Sequence, residues 1–306
     1  MSQPIVVPLD GSELAEAALP YAAAFAKSTG AGLVLVTVRE TIEDGLAGLL
    51  PDVIEDLFQK EERYYEGYLA RAGKKAMRSG VPVEALTLSG KPADEILALM
   101  QKRRARMLVL ATHGRSGLGR WVYGSVAADL VQRAPVPTLI VGPNCLQGRT
   151  GPVRIRRILV PLDGSELSEQ ALRPAGELAE ALGASIVLAQ VLSWASQAFA
   201  FDVPSVTAAQ IDQELTRASQ EYLARVAKRV KTAKPVRTRA LHGMPADALM
   251  DLVADEKIDL VVMGSHGRGG LTRAALGSVA DRMLQSQAPV LLVRPKAVAR
   301  GAARRS

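Results

Sequence analysis

Two aspartates occupy the same place in a repeated pattern. Asp10 follows Ile5-Val6-Val7-Pro8-Leu9, and Asp163 follows Ile158-Leu159-Val160-Pro161-Leu162. Each is succeeded by Gly-Ser-Glu-Leu. A carboxylate at the end of an apolar run can accept a hydrogen bond from a ligand hydroxyl or amine, much as an acidic residue reads ribose in dinucleotide folds. It can equally shape a strand-to-helix turn. In that case Ser12 and Ser165 would cap the following helix, and Glu13 and Glu166 would complement its positive first turn.

A second cluster suits phosphate. Gly264-Ser265-His266-Gly267 is followed, nine residues on, by Gly277-Ser278-Val279-Ala280. Glycines allow a backbone to approach a bulky anion closely. A Gly-Ser pair opening a helix adds free N–H groups and the positive end of the helix dipole. Arg268, Thr272 and Arg273 lie within the loop and could reach phosphate oxygens. The earlier counterpart reads Ala111-Thr112-His113-Gly114, then Gly124-Ser125-Val126-Ala127, with Ala111 in place of the first glycine. If that position needs positive φ, alanine costs about 1–2 kcal/mol; if it only ends a strand, alanine fits. A glycine-rich turn with a capped helix is the plainer reading of both loops.

His113 and His266 are equivalent loop positions, whereas the third histidine, His242, has Ser89 as its counterpart and carries no pattern. No Gly-x-Ser-x-Gly nucleophile motif accompanies them, and no His, Cys or carboxylate cluster at metal spacing. The pair is read as loop-anchoring or ligand-contacting, with no catalytic residue and no resident metal. A P-loop is absent, and no Gly-x-Gly-x-x-Gly follows the first strand.

These residues need elements to position them. The pattern starting at Ile5 returns at Ile158, and Gly90-x-Pro92-Ala93-Asp94 returns as Gly243-x-Pro245-Ala246-Asp247. The repeat unit is thus a whole domain rather than a short solenoid module. The 306 residues divide into domains over 1–142 and 158–296, a linker over 143–157 and a basic tail over 297–306. In the first copy, apolar runs at Ile5–Leu9, Leu33–Val38, Val83–Leu88, Met107–Ala111 and Thr138–Val141 read as strands. Helical spacing covers Leu14–Lys27, Ile54–Arg78, Ala93–Lys102 and Ser125–Arg133. The second copy repeats that order from Ile158, Ser185, Val236, Asp259 and Val290. Alternating strands and helices predict an α/β fold: two tandem Rossmann-like domains, each a five-stranded parallel sheet with helices on both faces. Ligands in such sheets bind beyond the carboxyl ends of the strands.

Composition excludes some functions. The net charge is +7, which alone would suggest nucleic acid. Yet residues 1–141 hold 16 basic and 16 acidic side chains, and residues 158–293 hold 13 and 15. The excess sits in four arginines of 142–157 and five basic residues of 294–306, so neither folded body has the charge of a nucleic-acid-binding domain. Aromatics are 4%, too few for base-stacking platforms. No apolar run reaches the length of a membrane span, and the single cysteine, Cys145, accords with a reducing cytoplasm. Tyr64, Tyr65 and Tyr68 read as core or interface residues, Trp121 as packing at the domain interface or shielding a bound ligand, and Trp194 as part of a mobile segment after the second strand.

Pro-x-Asp-Gly-Ser after the first strand, with the glycine loop and Gly-Ser after the fourth, resembles the universal stress protein family, in its tandem, ATP-binding form. The resemblance spans nearly all of both copies. It implies the strand order 3-2-1-4-5 and bound ATP, with Mg²⁺. In the second copy it implies that Pro161, Leu162 and Asp163 border adenine and ribose and that Val191, at the end of strand two, offers backbone groups to adenine. Met263, Gly264, His266, Gly267 and Arg268 would wrap ribose and α-phosphate, and Gly277, Ser278 and Val279 would hold the outer phosphates. The matching positions in the first copy are Pro8, Leu9, Asp10, Val38, Leu110, Ala111, His113, Gly114, Gly124, Ser125 and Val126. It further implies a cytoplasmic stress or energy-state regulator with slow ATP hydrolysis at most. Association would run through Thr138–Val141 and Val290–Val293, within one chain as a pseudo-dimer or between chains as a homodimer. A scaffold with partly degenerate pockets is the alternative; an adenylating enzyme of the same fold lacks its His-x-Gly-His or Ser-Gly-Gly-x-Asp signature here.

Overall fold

Strand-forming runs of Val, Ile and Leu dictate the architecture. In β1 (Ile5–Pro8) and β2 (Leu33–Arg39), alternate side chains enter opposite cores. Ile5, Val7, Leu33 and Leu35 join one apolar cluster, whereas Val6, Val34 and Val36 join the other. That two-residue period is what a sheet covered on both faces requires. The computed structural model describes residues 3–40, 51–112, 124–146, 152–193, 208–265 and 276–294.

The first half continues with β3 (Val83–Ser89), β4 (Met107–Ala111) and β5 (Thr138–Val141). Its helices are α1 (Leu19–Thr29), α2 (Pro51–Met77), α3 (Pro92–Lys102) and α4 (Ser125–Arg133). The second half has β6 (Arg157–Leu162), β7 (Ser185–Leu192), β8 (Arg237–His242), β9 (Leu260–Gly264) and β10 (Val290–Val293). Between these strands run α5 (Glu166–Glu169), α6 (Leu172–Leu182), α7 (Ala208–Ala227), α8 (Pro245–Asp255) and α9 (Ser278–Met283). Strand starts at Arg157, Arg237 and Leu260 differ by one residue from those read in the sequence.

Within each half the strands run parallel in the order 3-2-1-4-5. The two sheets join edge to edge into a sheet of ten strands, because β5 and β10 pair antiparallel. Leu139 lies opposite Leu291, and neither exposes any surface. Both apolar clusters run through this junction and contain residues of both halves.

One helix differs from expectation. Leu14–Lys27 is a 3₁₀ turn over Ala15–Ala18 followed by α1 from Leu19. Pro20 is the reason: it has no N–H to bond to Glu16, so a continuous α-helix cannot cross it. The second long helix begins at Pro51 and ends at Met77, against the Ile54–Arg78 of the sequence pattern. Among the described residues, no helix is long and apolar enough to cross a membrane.

Candidate functional site

Strand ends gather the candidate residues. Pro8 closes β1, and Leu9 stays buried with its N–H bonded to Val36 O at 2.8 Å. Asp10 then emerges at the surface, where the Ser12 N–H and hydroxyl both donate to its Oδ1, at 2.9 and 2.6 Å. Gly11 turns with φ +90°, a conformation that suits glycine. The second half repeats the turn. The Ser165 N–H and hydroxyl donate to Asp163 Oδ1 at 2.9 and 2.5 Å, and Gly164 has φ +82°. Each serine also accepts from a backbone N–H further on: Ala15 at 3.1 Å, Ser168 at 3.2 Å. Ser165 is the N-cap of α5, as expected, whereas Ser12 is not an N-cap: Leu14 precedes the 3₁₀ turn and Ala18 precedes α1, because Pro20 splits the segment. The turn-forming reading of the aspartates therefore holds in both halves, and the turn fixes where each carboxylate sits.

Tyrosines from the long helices pack against these turns, a role the sequence did not reveal. The Tyr68 hydroxyl donates to Ser12 O at 3.4 Å, and the Tyr64 ring stands beside Gly11. Burial, then Glu16 and Asp10, push the Tyr68 phenol well above its ordinary range. Burial and Glu61 raise that of Tyr65. In the second half, the Tyr222 hydroxyl donates to Glu169 at 3.1 Å, and burial followed by that carboxylate raises its phenol too. All three are therefore neutral phenols at ordinary pH. Arg229 pairs with the same Glu169 at 2.5 Å.

Strand two supplies Val38 and Val191, both half-buried against the same apolar cluster near the carboxyl ends of β2 and β7. The Thr37 hydroxyl donates to Leu9 O at 2.9 Å, tying strand two to the Asp10 turn. Gln190 holds the corresponding place and accepts from Ser219 at 2.7 Å. His242, which has no counterpart histidine in the first half, makes two partly exposed contacts. At the end of β8 its Nδ1 lies 3.3 Å from Asp212 and its Nε2 3.1 Å from Thr216.

Strand four answers the question raised by Ala111. Ala111 ends β4 opposite Val141, and Gly264 ends β9 opposite Val293. Neither has positive φ, so alanine carries no backbone strain there. Leu110 and Met263 are buried just before them. The next residues, Thr112 and Ser265, are buried hydroxyls whose N–H groups bond to Val141 O and Val293 O, each at 3.1 Å. The Thr112 hydroxyl has no hydrogen-bond partner among the described residues. His113, Gly114, His266, Gly267 and Arg268, together with Trp121 and Trp194, lie outside the described residues.

Beyond the loops, Gly124 and Gly277 are the N-caps of α4 and α9. Their carbonyls accept the first helical bonds, from Ala128 and Asp281, both at 2.9 Å. The Gly277 N–H bonds back to Ser265 O at 3.1 Å, closing the base of the second loop. The backbone here is ordinary, φ −56° and ψ 150° at Gly124, φ −62° and ψ 146° at Gly277. A side chain built at Gly124 would meet no atom of the described residues within 4 Å. Ser125, Val126, Ser278 and Val279 thus sit in the first turn of helices whose initial N–H groups have no acceptor within the helix.

A family model for universal stress proteins matches residues 1–142 and 154–294. The chain belongs to the universal stress protein family. It is 28% identical to a universal stress protein of Mycobacterium bovis over 309 aligned residues, covering 95% of this chain and 94% of that one. It is 33% identical over 191 residues to the universal stress protein Rv2005c of Mycobacterium tuberculosis, covering 62% of each chain, so the match spans about three fifths of that relative. The solved structure of a universal stress protein from Archaeoglobus fulgidus aligns with TM-score 0.67 at 19% identity, covering 97% of this chain and 98% of that one, and shows the shared fold. Family membership supports a stress-response role.

Proposed function

We propose that each half of this universal stress protein binds ATP between the Asp turn and the glycine loop, and that occupancy is the signal it carries. The observation behind this reading is Gly124. Neither its backbone conformation nor its surroundings among the described residues require glycine. A missing side chain there has a use if a phosphate comes within contact distance of the helix start. Gly277 has the same backbone and the same place in the second half. Asp10 and Asp163, Val38 and Val191, lie at the neighbouring strand ends, where a ribose and a base would rest. Mg²⁺ would arrive on the phosphate oxygens, keeping its waters. Among the described residues no group of three His, Cys, Asp or Glu is placed to hold a metal by itself.

We further propose that the halves act as an intrachain pseudo-dimer in the cytoplasm. The pairing of β5 with β10 supports this, and it leaves β3 and β8 as the outer edges of the sheet. A homodimer would have to form through another surface. The test is mass spectrometry of nucleotide released from purified protein, joined to calorimetric titration with ATP. Co-purified adenine nucleotide, or binding at two sites, supports the reading. No released nucleotide and no heat at millimolar ATP overturn it.

A further inference from the structure

Two hydrogen bonds cross between the halves in a reciprocal way. Arg294, the residue after β10, donates from Nη2 to Val131 O near the end of α4, at 2.7 Å. Asn144, shortly after β5, donates from Nδ2 to Gln285 O just past the end of α9, at 2.8 Å. Each donor follows the last strand of its own half. Each acceptor lies in the last turn, or just past the end, of the helix that follows the other half's glycine loop.

The sequence explains why these carbonyls need outside help. A helical carbonyl is normally paired by the N–H four residues later. Four residues after Val131 stands Pro135, and four after Gln285 stands Pro289. Proline has no N–H, so neither helix could satisfy these acceptors by continuing. Val131 is buried, where an unpaired carbonyl is costly. The donors come from the opposite half because β5 and β10 are paired, which brings each helix end beside the other half's exit segment.

We propose that Arg294 and Asn144 are positioning residues that couple the two candidate nucleotide sites. This rests on the reading of those sites given above. Helix α4 would then be held at both ends, by phosphate at its N-terminus and by a guanidinium at its C-terminus, the charges that complement its dipole. Arg294 is half-buried at this contact, and that burial lowers its pKa. Any shift of α4 on nucleotide binding pulls on Arg294 and hence on β10, whose neighbour β9 leads into the second loop. Asn144 ties the end of α9 to the exit of β5 in the same way. Its amide is neutral, so the tie through Arg294 is the stronger of the two, and each transmits in both directions.

The experiment uses the full chain carrying Gly277→Asp, so that ATP can bind only the first half, and follows amide hydrogen exchange. Addition of ATP is expected to slow exchange in β10 of the second half, and Arg294→Met in that background to abolish most of this response while Arg294→Lys restores part of it. A response of equal size in the Arg294→Met protein overturns the coupling. Should the Gly277→Asp chain bind no ATP by calorimetry, the nucleotide reading fails separately. The anchor is then judged without ligand: Arg294→Met should raise exchange at the Ala134 amide, which bonds to Leu130 O, by about tenfold. Unchanged exchange there, with the global melting temperature also unchanged, overturns the anchoring role as well.

Discussion

The two halves build the same turn from the same residues but finish their loops differently. In the first, Ala111 ends strand four, the Thr112 hydroxyl is buried without a partner among the described residues, and a guanidinium from the other half caps α4. In the second, Gly264 ends the strand, the Gly277 N–H closes the loop against Ser265 O, and a neutral amide reaches the end of α9. Duplication preserved the Asp-Gly-Ser turn, whose glycine the backbone needs, and the glycine N-caps, whose glycine it does not. It left the supporting contacts to diverge. Both helix ends take a donor from the other half, but the one reaching α4 is a guanidinium and the one reaching the end of α9 a neutral amide, so the first half has the stronger tie across the seam.

The largest effect that would test this comparison comes from Gly277→Asp. A carboxylate facing phosphate should cost several kcal/mol, weakening ATP binding in the second half by on the order of 100-fold or more. Calorimetric stoichiometry should fall from two sites to one, and Gly124→Asp should remove the other. Two remaining sites in either variant would break the proposed equivalence of the pockets.

The next effect concerns the seam. Leu139→Ala removes a fully buried side chain opposite Leu291 and should destabilise by about 2–5 kcal/mol. Because both cores run through the seam, denaturant unfolding should remain one transition, shifted to lower denaturant. A split into two transitions would show that the halves unfold separately.

Alkaline pH should separate the halves by a smaller amount. Tyr65 and Tyr68 in the first half and Tyr222 in the second have raised phenol pKa values. The folded state holds protons that the unfolded chain releases above the ordinary phenol value of about 10. Their contribution is therefore constant below that pH and declines above it. Melting temperature should fall beyond about pH 10, and less steeply in Tyr222→Phe. That variant also loses the bond to Glu169, so near neutrality it should be less stable by about 0.5–1.5 kcal/mol. An identical alkaline slope in Tyr222→Phe would remove this tyrosine from the account.

The smallest effect is the sharpest test of strand four. Exchanging Ala111→Gly and Gly264→Ala should change ATP affinity by less than about threefold, since neither position needs positive φ. We expect the second half to bind ATP at least as tightly as the first, and to keep that order in the exchanged protein. A reversal would assign the difference to this one position.

Much of this was legible in the sequence, for physical reasons. A two-residue period of aliphatic side chains buried on both faces can only be a covered strand, and the repeat at constant spacing made each half a check on the other. The glycine N-caps were legible because Gly-Ser before an apolar-periodic segment marks a helix start. The break before α1 was missed, although Pro20 signalled it, because apolar spacing continues across the 3₁₀ turn. The contacts of His242 were not legible because its partners, Asp212 and Thr216, are a helix away and match no short motif.

By itself, the sequence determined the two units, their strand order through the family resemblance, and the residues that crowd the strand ends. These depend on local periodicity and on turn chemistry read over a few residues. The resemblance singled out the edges Thr138–Val141 and Val290–Val293. Only the tertiary structure decided that they pair with each other within one chain, since two short, mostly apolar strands carry nothing in their pattern to choose between a partner in the same chain and one in another. It alone brought Arg294 to Val131, 163 positions apart. Pro135 and Pro289 leave carbonyls that their own helices cannot pair, but the donors became identifiable only once the paired edges had set one half against the other.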